Sequence, residues 1–203
     1  MRLGYFKKFG SVDFEKIKEL AGQEQIELQL VPLSQEESLT AIQDGQADLV
    51  VTSIRDSKID EKLISRNELE RCSLVAVLQV ENFDKNEQTV ELAELHAIPD
   101  MLVATVSEEQ AELHYHRDLL AISSPLIAVE SFNEAALMAS SGSGYFLMNE
   151  RTAKLLVNDQ LQKLFLLNNG VQLKEDYSLL TAKNESSRQL IRVEQIIQDY
   201  FKE

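Results

Sequence analysis

The chain has 203 residues but only one cysteine, three prolines, seven glycines and no tryptophan. A single thiol, Cys72, excludes an internal disulfide, and its setting in "ERCSLVAV" makes it a packing residue at the head of an apolar run, as suits a reducing cytoplasm. Apolar runs are short. "SLVAVL" at 73–78 falls far below the roughly 20 residues that a membrane-spanning helix needs, so no membrane span is expected. The opening "MRLGYFKKFG" has neither the apolar stretch nor the small-residue cleavage site of a secretory signal. Positive charge is also scarce. Twenty Lys and Arg against 34 Asp and Glu leave a net charge of −14, a field that repels a phosphate backbone, so the chain by itself should bind DNA poorly. There is no HExxH, no CxxC, no P-loop and no GxSxG elbow, and these absences predict no catalytic centre, no metal and no cofactor.

What is present is an alternation of strand and helix patterns. "RLGYF" reads as a strand and "DFEKIKELAG" as a helix with Phe14, Ile17, Leu20 and Ala21 on one side, closed by Gly22. "IELQLVPL" alternates as a second strand. "SQEESLTAIQDG" follows, with Ser34 and Glu37 as a capping box and Gly45 as a stop, and "ADLVVTS" is a buried third strand. Such spacing implies parallel pairing through right-handed crossovers. "CSLVAVLQ" is a further strand, and the aperiodic "VENFDKNEQTV" marks a boundary, after which the alternation restarts. There "MLVATV" and "PLIAVE" are strands, Ser107 with Gln110 caps one helix, and Ser131 with Glu134 caps another through Ala135, Leu137 and Met138. "GYFLM" is the next strand, "ERTAKLLV" a helix, and "QLKEDYSLLTAK" a long strand. The last segment is an amphipathic helix whose inner face is Leu190, Val193, Ile197 and Tyr200 or Phe201, with Ser186 and Gln189 as its capping box. The first block has only two other helices, so this one is expected to return to it. The chain would then cross between blocks twice, giving an α/β fold of two Rossmann-like subdomains: residues 1–77 with 178–203, and residues 78–177.

"ASSGSGYFLM" places its glycines after a helix and before a strand, the reverse of a phosphate-binding turn, so Gly142 is read as a left-handed helix stop and Gly144 as a point of close backbone approach. His114 and His116 lie two apart on a helix, about 200° around it, and cannot share a metal ion from one face. In open parallel sheets ligands sit beyond the carboxyl ends of the strands. The groups available there are "FKKFGS" after the first strand, Thr52 and Ser53 after the third, Thr105 to Ser107 and "ESFN" at 130–133. Lys7 and Lys8 just ahead of a helix N-terminus oppose the macrodipole, which in an acidic chain suggests a local anion site, the alternative being solvated surface.

The ordered series "MRLG", "IQDGQADLVVTS", "LERCSLVAVL", "VELAELHAIPDMLVAT" and "ESFNEAALMASSGSGYFLMNE" resembles the effector-binding domain of LysR-type transcriptional regulators along essentially all 203 residues, with Asn149 where proline is common in that family. The resemblance implies a type 2 periplasmic-binding-protein-like fold, two subdomains around a central cleft joined by two crossover strands. It also implies a small effector in that cleft, often anionic, held by Phe6, Lys7, Lys8 and Phe9, by Thr52 and Ser53, by Thr105, Val106 and Ser107, and by Ser131 and Phe132. Family pockets often have hydroxyls in the first loop, where this chain has Phe6 to Phe9. Residues 13 to 22 would fall at the interface of a homodimer or higher homo-oligomer. DNA would be reached only through an N-terminal winged helix-turn-helix absent from these residues. The function expected is ligand sensing in a cytoplasmic transcription regulator. The rivals are a solute-binding protein of a transport system with the same fold, which an export signal would mark, and an enzyme of a related fold, which would need a reactive constellation.

Overall fold

The computed structural model describes residues 1–8, 10–55 and 59–202. In chain order these form β1 (Arg2–Phe6), α1 (Phe14–Gln23), β2 (Gln29–Leu33), α2 (Gln35–Thr40), β3 (Leu49–Ser53) and the 16-residue β4 (Ile64–Gln79). There follow β5 (Thr89–Glu91), α3 (Leu92–Leu95), β6 (Asp100–Val103), α4 (Glu109–His114) with a π-helical turn over Tyr115–Leu119, β7 (Leu126–Val129) and α5 (Phe132–Ser140). The remainder is β8 (Phe146–Asn149), α6 (Glu150–Leu155), β9 (Leu161–Asn168), β10 (Val171–Gln172), β11 (Lys174–Ala182) and α7 (Arg188–Lys202). The chain divides into two compact units, Met1–Arg71 with Asp176–Glu203, and Cys72–Glu175, passing from one to the other within β4 and back within β11.

In the first unit β1 lies parallel between β2 and β3, with Phe6 opposite Leu33 and Tyr5 opposite Val51. β11 runs antiparallel beside β3. β3 is buried throughout, as its unbroken "LVVTS" requires of a strand covered on both faces. Ser34 and Glu37 form the capping box of α2, whereas α1 starts on Asp13, whose side chain accepts from Lys16 N at 3.0 Å. Gly22 lies inside α1, and the left-handed residue after the helix is Gln25. α7 buries Leu190, Val193, Ile196, Ile197 and Phe201. Of the two aromatic candidates Phe201 goes inside, while the Tyr200 hydroxyl accepts from Asp13 N at 2.9 Å and so ties α7 to the start of α1. The cap of α7 is Ser187, which accepts from Leu190 N, rather than Ser186 with Gln189. The helix starts one residue later than the periodicity implies.

Arginine–carboxylate pairs at the edges of this unit include Arg2–Asp48, Arg71–Asp176 and Arg192–Glu24. Hydrogen bonding from Arg71 holds the Asp176 carboxyl below its ordinary value against the opposing effect of burial. At Asp48 burial acts upward most strongly, but the hydrogen bonds and charge of Arg2 together bring the carboxyl down. Arg192 lowers Glu24 chiefly by hydrogen bonding. A carboxylate depressed in the folded state contributes stability above its unfolded value that is lost as pH falls through the folded one. Urea unfolding should therefore show stability falling below about pH 4, and Arg71→Ala should make that acid limb shallower.

In the second unit β4 runs antiparallel between β8 and β9. Its alternate residues feed two cores: Leu74, Ala76 and Leu78 pack with Tyr115, Leu120, Tyr145 and Leu164, while Val75 and Val77 pack with Met101, Ala135, Ala139 and Phe146. β5 lies parallel to β9, and β6 parallel to β7. β6 joins the segment before β8 through Met101 N to Tyr145 O at 2.7 Å and Tyr145 N to Pro99 O at 2.8 Å. This approach needs Gly144, where a Cβ would press into the Pro99 carbonyl oxygen. Gly142, at φ 79°, is the left-handed stop after α5. Along α5 the buried residues are Ala135 and Ala139, and Leu137 is 72% exposed, so the inner face is narrower than the pattern through Leu137 implies.

Candidate functional site at the strand carboxyl ends

In the first unit β1 ends on Phe6, whose ring is buried, and the chain leaves through exposed Lys7 and half-buried Lys8, with Lys7 N donating to Leu33 O at 3.0 Å. Beside it β3 ends on Thr52 and Ser53, both fully buried. Ser38 Oγ donates to Gln35 O at 2.7 Å, which leaves it to accept from Thr52 Oγ1 at 2.6 Å. The Gln35 amide donates to Ser53 O at 2.7 Å, and Gln35 Oε1 is buried without a partner among the described residues. Thr52 is therefore a brace between β3 and α2, its hydroxyl spent inside the protein. Thr52→Val should cost about 1–2 kcal/mol in urea unfolding, since the buried Ser38 hydroxyl loses a donor. A Thr52→Val variant as stable as the parent would contradict the brace.

In the second unit β6 and β7 end side by side, Val103 opposite Val129, with Ala104 N donating to Val129 O at 2.9 Å. This pairing gathers Thr105, Val106 and Ser107 next to Ser131 and Phe132. Thr105, Ser107 and Ser131 are exposed, and Val106 is 86% exposed. The first turn ahead of α4 is organised by Glu108, not by a capping box of Ser107 with Gln110: its carboxylate accepts from Thr105 N at 3.1 Å and from Thr105 Oγ1 at 2.9 Å. α4 starts at Glu109, two residues beyond Ser107, so the Ser107 hydroxyl faces its neighbour, 3.2 Å from Thr105 Oγ1. Ser131 Oγ accepts from Glu134 N at 3.2 Å and caps α5, and the Phe132 ring lies 6.2 Å from that of Phe146. Phe9 lies outside the described residues.

Each unit thus brings its own candidates together on neighbouring parallel strands: a cationic edge with buried hydroxyls in the first, and an exposed hydroxyl edge in the second. Such edges can recognise a small polar molecule by hydrogen bonding and charge. Among the described residues no three His, Cys, Asp or Glu side chains stand together as metal ligands would. His114 is exposed beside Asp118 at 2.6 Å, whereas His116 is buried against Asp100 at 2.6 Å. Sequence reasoning passed over Arg55 and the pairing of His116 with Asp100. Arg55, two beyond β3, places its guanidinium 5.8 Å over the Phe6 ring; a cation following a strand that ends in hydroxyls was the available signal. The His116–Asp100 pair depends on the π-helical turn, which no residue pattern announces.

No family model matches the sequence, and no curated protein is similar to it in sequence. Solved structures are similar to it in fold along nearly its whole length. The BenM effector-binding domain with its effector benzoate has a TM-score of 0.77 at 13% identity, covering 100% of this chain and 91% of that one. The sulfate-bound OxyR2 E204G regulatory domain from Vibrio vulnificus has a TM-score of 0.73 at 14% identity, covering 100% and 94%. Full-length CbnR complexed with its target DNA has a TM-score of 0.69 at 13% identity, covering 98% of this chain and 69% of that one. The chain has the fold of the effector-binding domains of LysR-type regulators, the type 2 periplasmic-binding-protein-like α/β arrangement. The proteins it resembles are transcription regulators, not enzymes. No helix among the described residues is long and apolar enough to cross a membrane.

Proposed function

We propose that the chain is the ligand-sensing domain of a LysR-type transcriptional regulator. A small effector binds in a cleft where the strand carboxyl ends of subdomain I (residues 1–77 and 178–203) face those of subdomain II (78–177). Binding biases the angle between the subdomains and so the arrangement of a homodimer or higher oligomer in which residues 13 to 22 take part. Only a ligand with different affinities for the two arrangements can shift them, so the effector must touch both walls. The protein acts in the cytoplasm and reaches DNA through a winged helix-turn-helix outside this sequence. What supports the reading is the whole-length likeness in fold to a domain whose effector is benzoate, together with the exposed Thr105–Ser107 edge, which is rich in hydroxyls.

A thermal-shift screen of amino acids, aromatic acids, sugar phosphates and nucleotides should find a stabilising compound, since a ligand of the folded form raises stability by mass action. Calorimetry on Thr105→Val should then show affinity for that compound reduced about tenfold, with the fold retained because Thr105 N still donates to the Glu108 carboxylate. Unchanged affinity, or a screen without any stabiliser, would sink the proposal.

A further inference from the structure

Asn169 is the one asparagine in the chain followed by glycine. Asn169 and Gly170 form the two-residue turn between β9 and β10, where Val171 lies opposite Asn168, and both are exposed and left-handed, at φ 51° and 76°. Asn-Gly suits such a turn because both central positions need positive φ. The same dipeptide sets a side-chain amide next to a backbone nitrogen that no side chain shields. Here that nitrogen is held. Gly170 N donates at 2.8 Å to Oε1 of Glu91, which is half-buried at the end of β5, the strand that runs parallel beside β9. On the other side of the turn Asn169 Nδ2 donates to Asn168 Oδ1 at 2.8 Å, which draws the carboxamide back toward the preceding residue.

We propose that Asn169 is a site of spontaneous covalent modification and that Glu91 sets its rate by holding the Gly170 nitrogen. In the reaction Gly170 N gives up its proton and bonds to Asn169 Cγ, the Cγ–Nδ2 bond breaks, and ammonia leaves with that proton. Water then opens the cyclic imide at either carbonyl. One asparagine and one water thus give one ammonia and one acid, either aspartate or isoaspartate, at position 169. Glu91 opposes the first step in two ways. A carboxylate is far too weak a base to take an amide proton, and its charge disfavours the amide anion that must attack. Its hydrogen bond must also break before the turn can open and bring Gly170 N to Asn169 Cγ. Isoaspartate routes the chain through the side chain and lengthens a turn built for two residues, and either product adds a negative charge beside Glu91. The β9–β10 corner loosens as the protein ages.

The test is incubation of the folded chain at mildly alkaline pH, with peptide mapping by mass spectrometry for the exchange of –NH2 by –OH at Asn169 and enzymatic methylation of isoaspartyl carboxyl groups as a second readout. Modification at Asn169 ahead of every other asparagine is expected. Glu91→Ala should react about ten- to hundredfold faster than the parent, the factor that matches a hydrogen bond to a charged acceptor. Glu91→Gln, which keeps an acceptor but not the charge, should lie between the two, and its near-identical shape preserves the comparison if the alanine variant unfolds by circular dichroism. Glu94→Ala separates this effect from damage to α3, since it removes the other half of the helix cap, in which Glu94 Oε2 accepts from Glu91 N at 2.8 Å, and leaves the Glu91 side chain in place. Its rate should match the parent's. An Asn169 that stays intact while other asparagines react, parental rates in both Glu91 variants, or equal acceleration in Glu94→Ala overturns the proposal.

Discussion

His116→Ala is expected to cost about 3–5 kcal/mol of unfolding free energy. His116 is buried, and its Nδ1 lies 2.6 Å from Oδ2 of Asp100, a carboxyl with no exposure at all. The other oxygen, Oδ1, is buried and has no partner among the described residues. Among the described residues no side-chain hydrogen bond to that carboxyl remains once the imidazole is removed. Burial first, and the charge of Asp100 second, push the neighbouring Tyr145 hydroxyl well above its ordinary value, so the tyrosine stays neutral and its hydroxyl serves Ser124 at 3.0 Å. The pair also ties the π-helical turn after α4, closed by the i→i+5 bond from Leu120 N to Tyr115 O at 3.0 Å, to the start of β6. Urea unfolding measures the loss. Replacing both partners with leucine should recover part of it, since apolar groups of similar volume often substitute for a buried pair at little cost. A loss below about 1 kcal/mol in His116→Ala would mean that Asp100 is compensated by something other than the histidine.

The second large effect is expected at Gly144. Its missing Cβ is the space that Pro99 O occupies, and Tyr145 N donates to that same oxygen at 2.8 Å. The obstacle is backbone held in a β6 register, so Gly144→Ala should destabilise by about 3 kcal/mol, the upper end of ordinary overpacking. Gly142 is the internal control. It takes φ 79°, but its added Cβ would meet only the Gln79 side-chain oxygen at 2.5 Å, the far end of a flexible chain. Gly142→Ala should cost about 1 kcal/mol, set by the left-handed backbone. Equal costs at the two positions would contradict the distinction.

These two glycines show what the sequence made legible. A helix before them and a strand after them were enough to separate a stop from a close approach, because both readings depend on local chain geometry. The same holds for β1, β3, α2 and the inner face of α7, whose periodicity is strong over short spans. β9, "LQKLFLLN", went unread because its alternation, with Leu161, Leu164 and Leu166 buried, is broken by partly buried residues on a strand paired on both sides. The first half of β4, "ISRNELER", escaped because only Ile64 in it is buried and, apart from the partly buried Leu69, the rest is polar. At the candidate site the sequence located the strand ends but not the direction of each hydroxyl. Thr52 and Thr105 sit at equivalent junctions, yet one is sealed against Ser38 and the other is exposed, a difference decided by how α2 packs on β3. Arg55 escaped for a related reason: its role comes from lying over Phe6, about fifty residues earlier in the chain.

The most direct measurement is an amide NMR titration with whichever compound stabilises the protein. Binding where the strands of both units end predicts that the amides of Lys7, Lys8, Ser53, Thr105, Ser107 and Ser131 shift together along one saturation curve. Shifts confined to one unit, or centred on α1 and α7, would place the ligand elsewhere and remove the basis for sensing by the two units jointly.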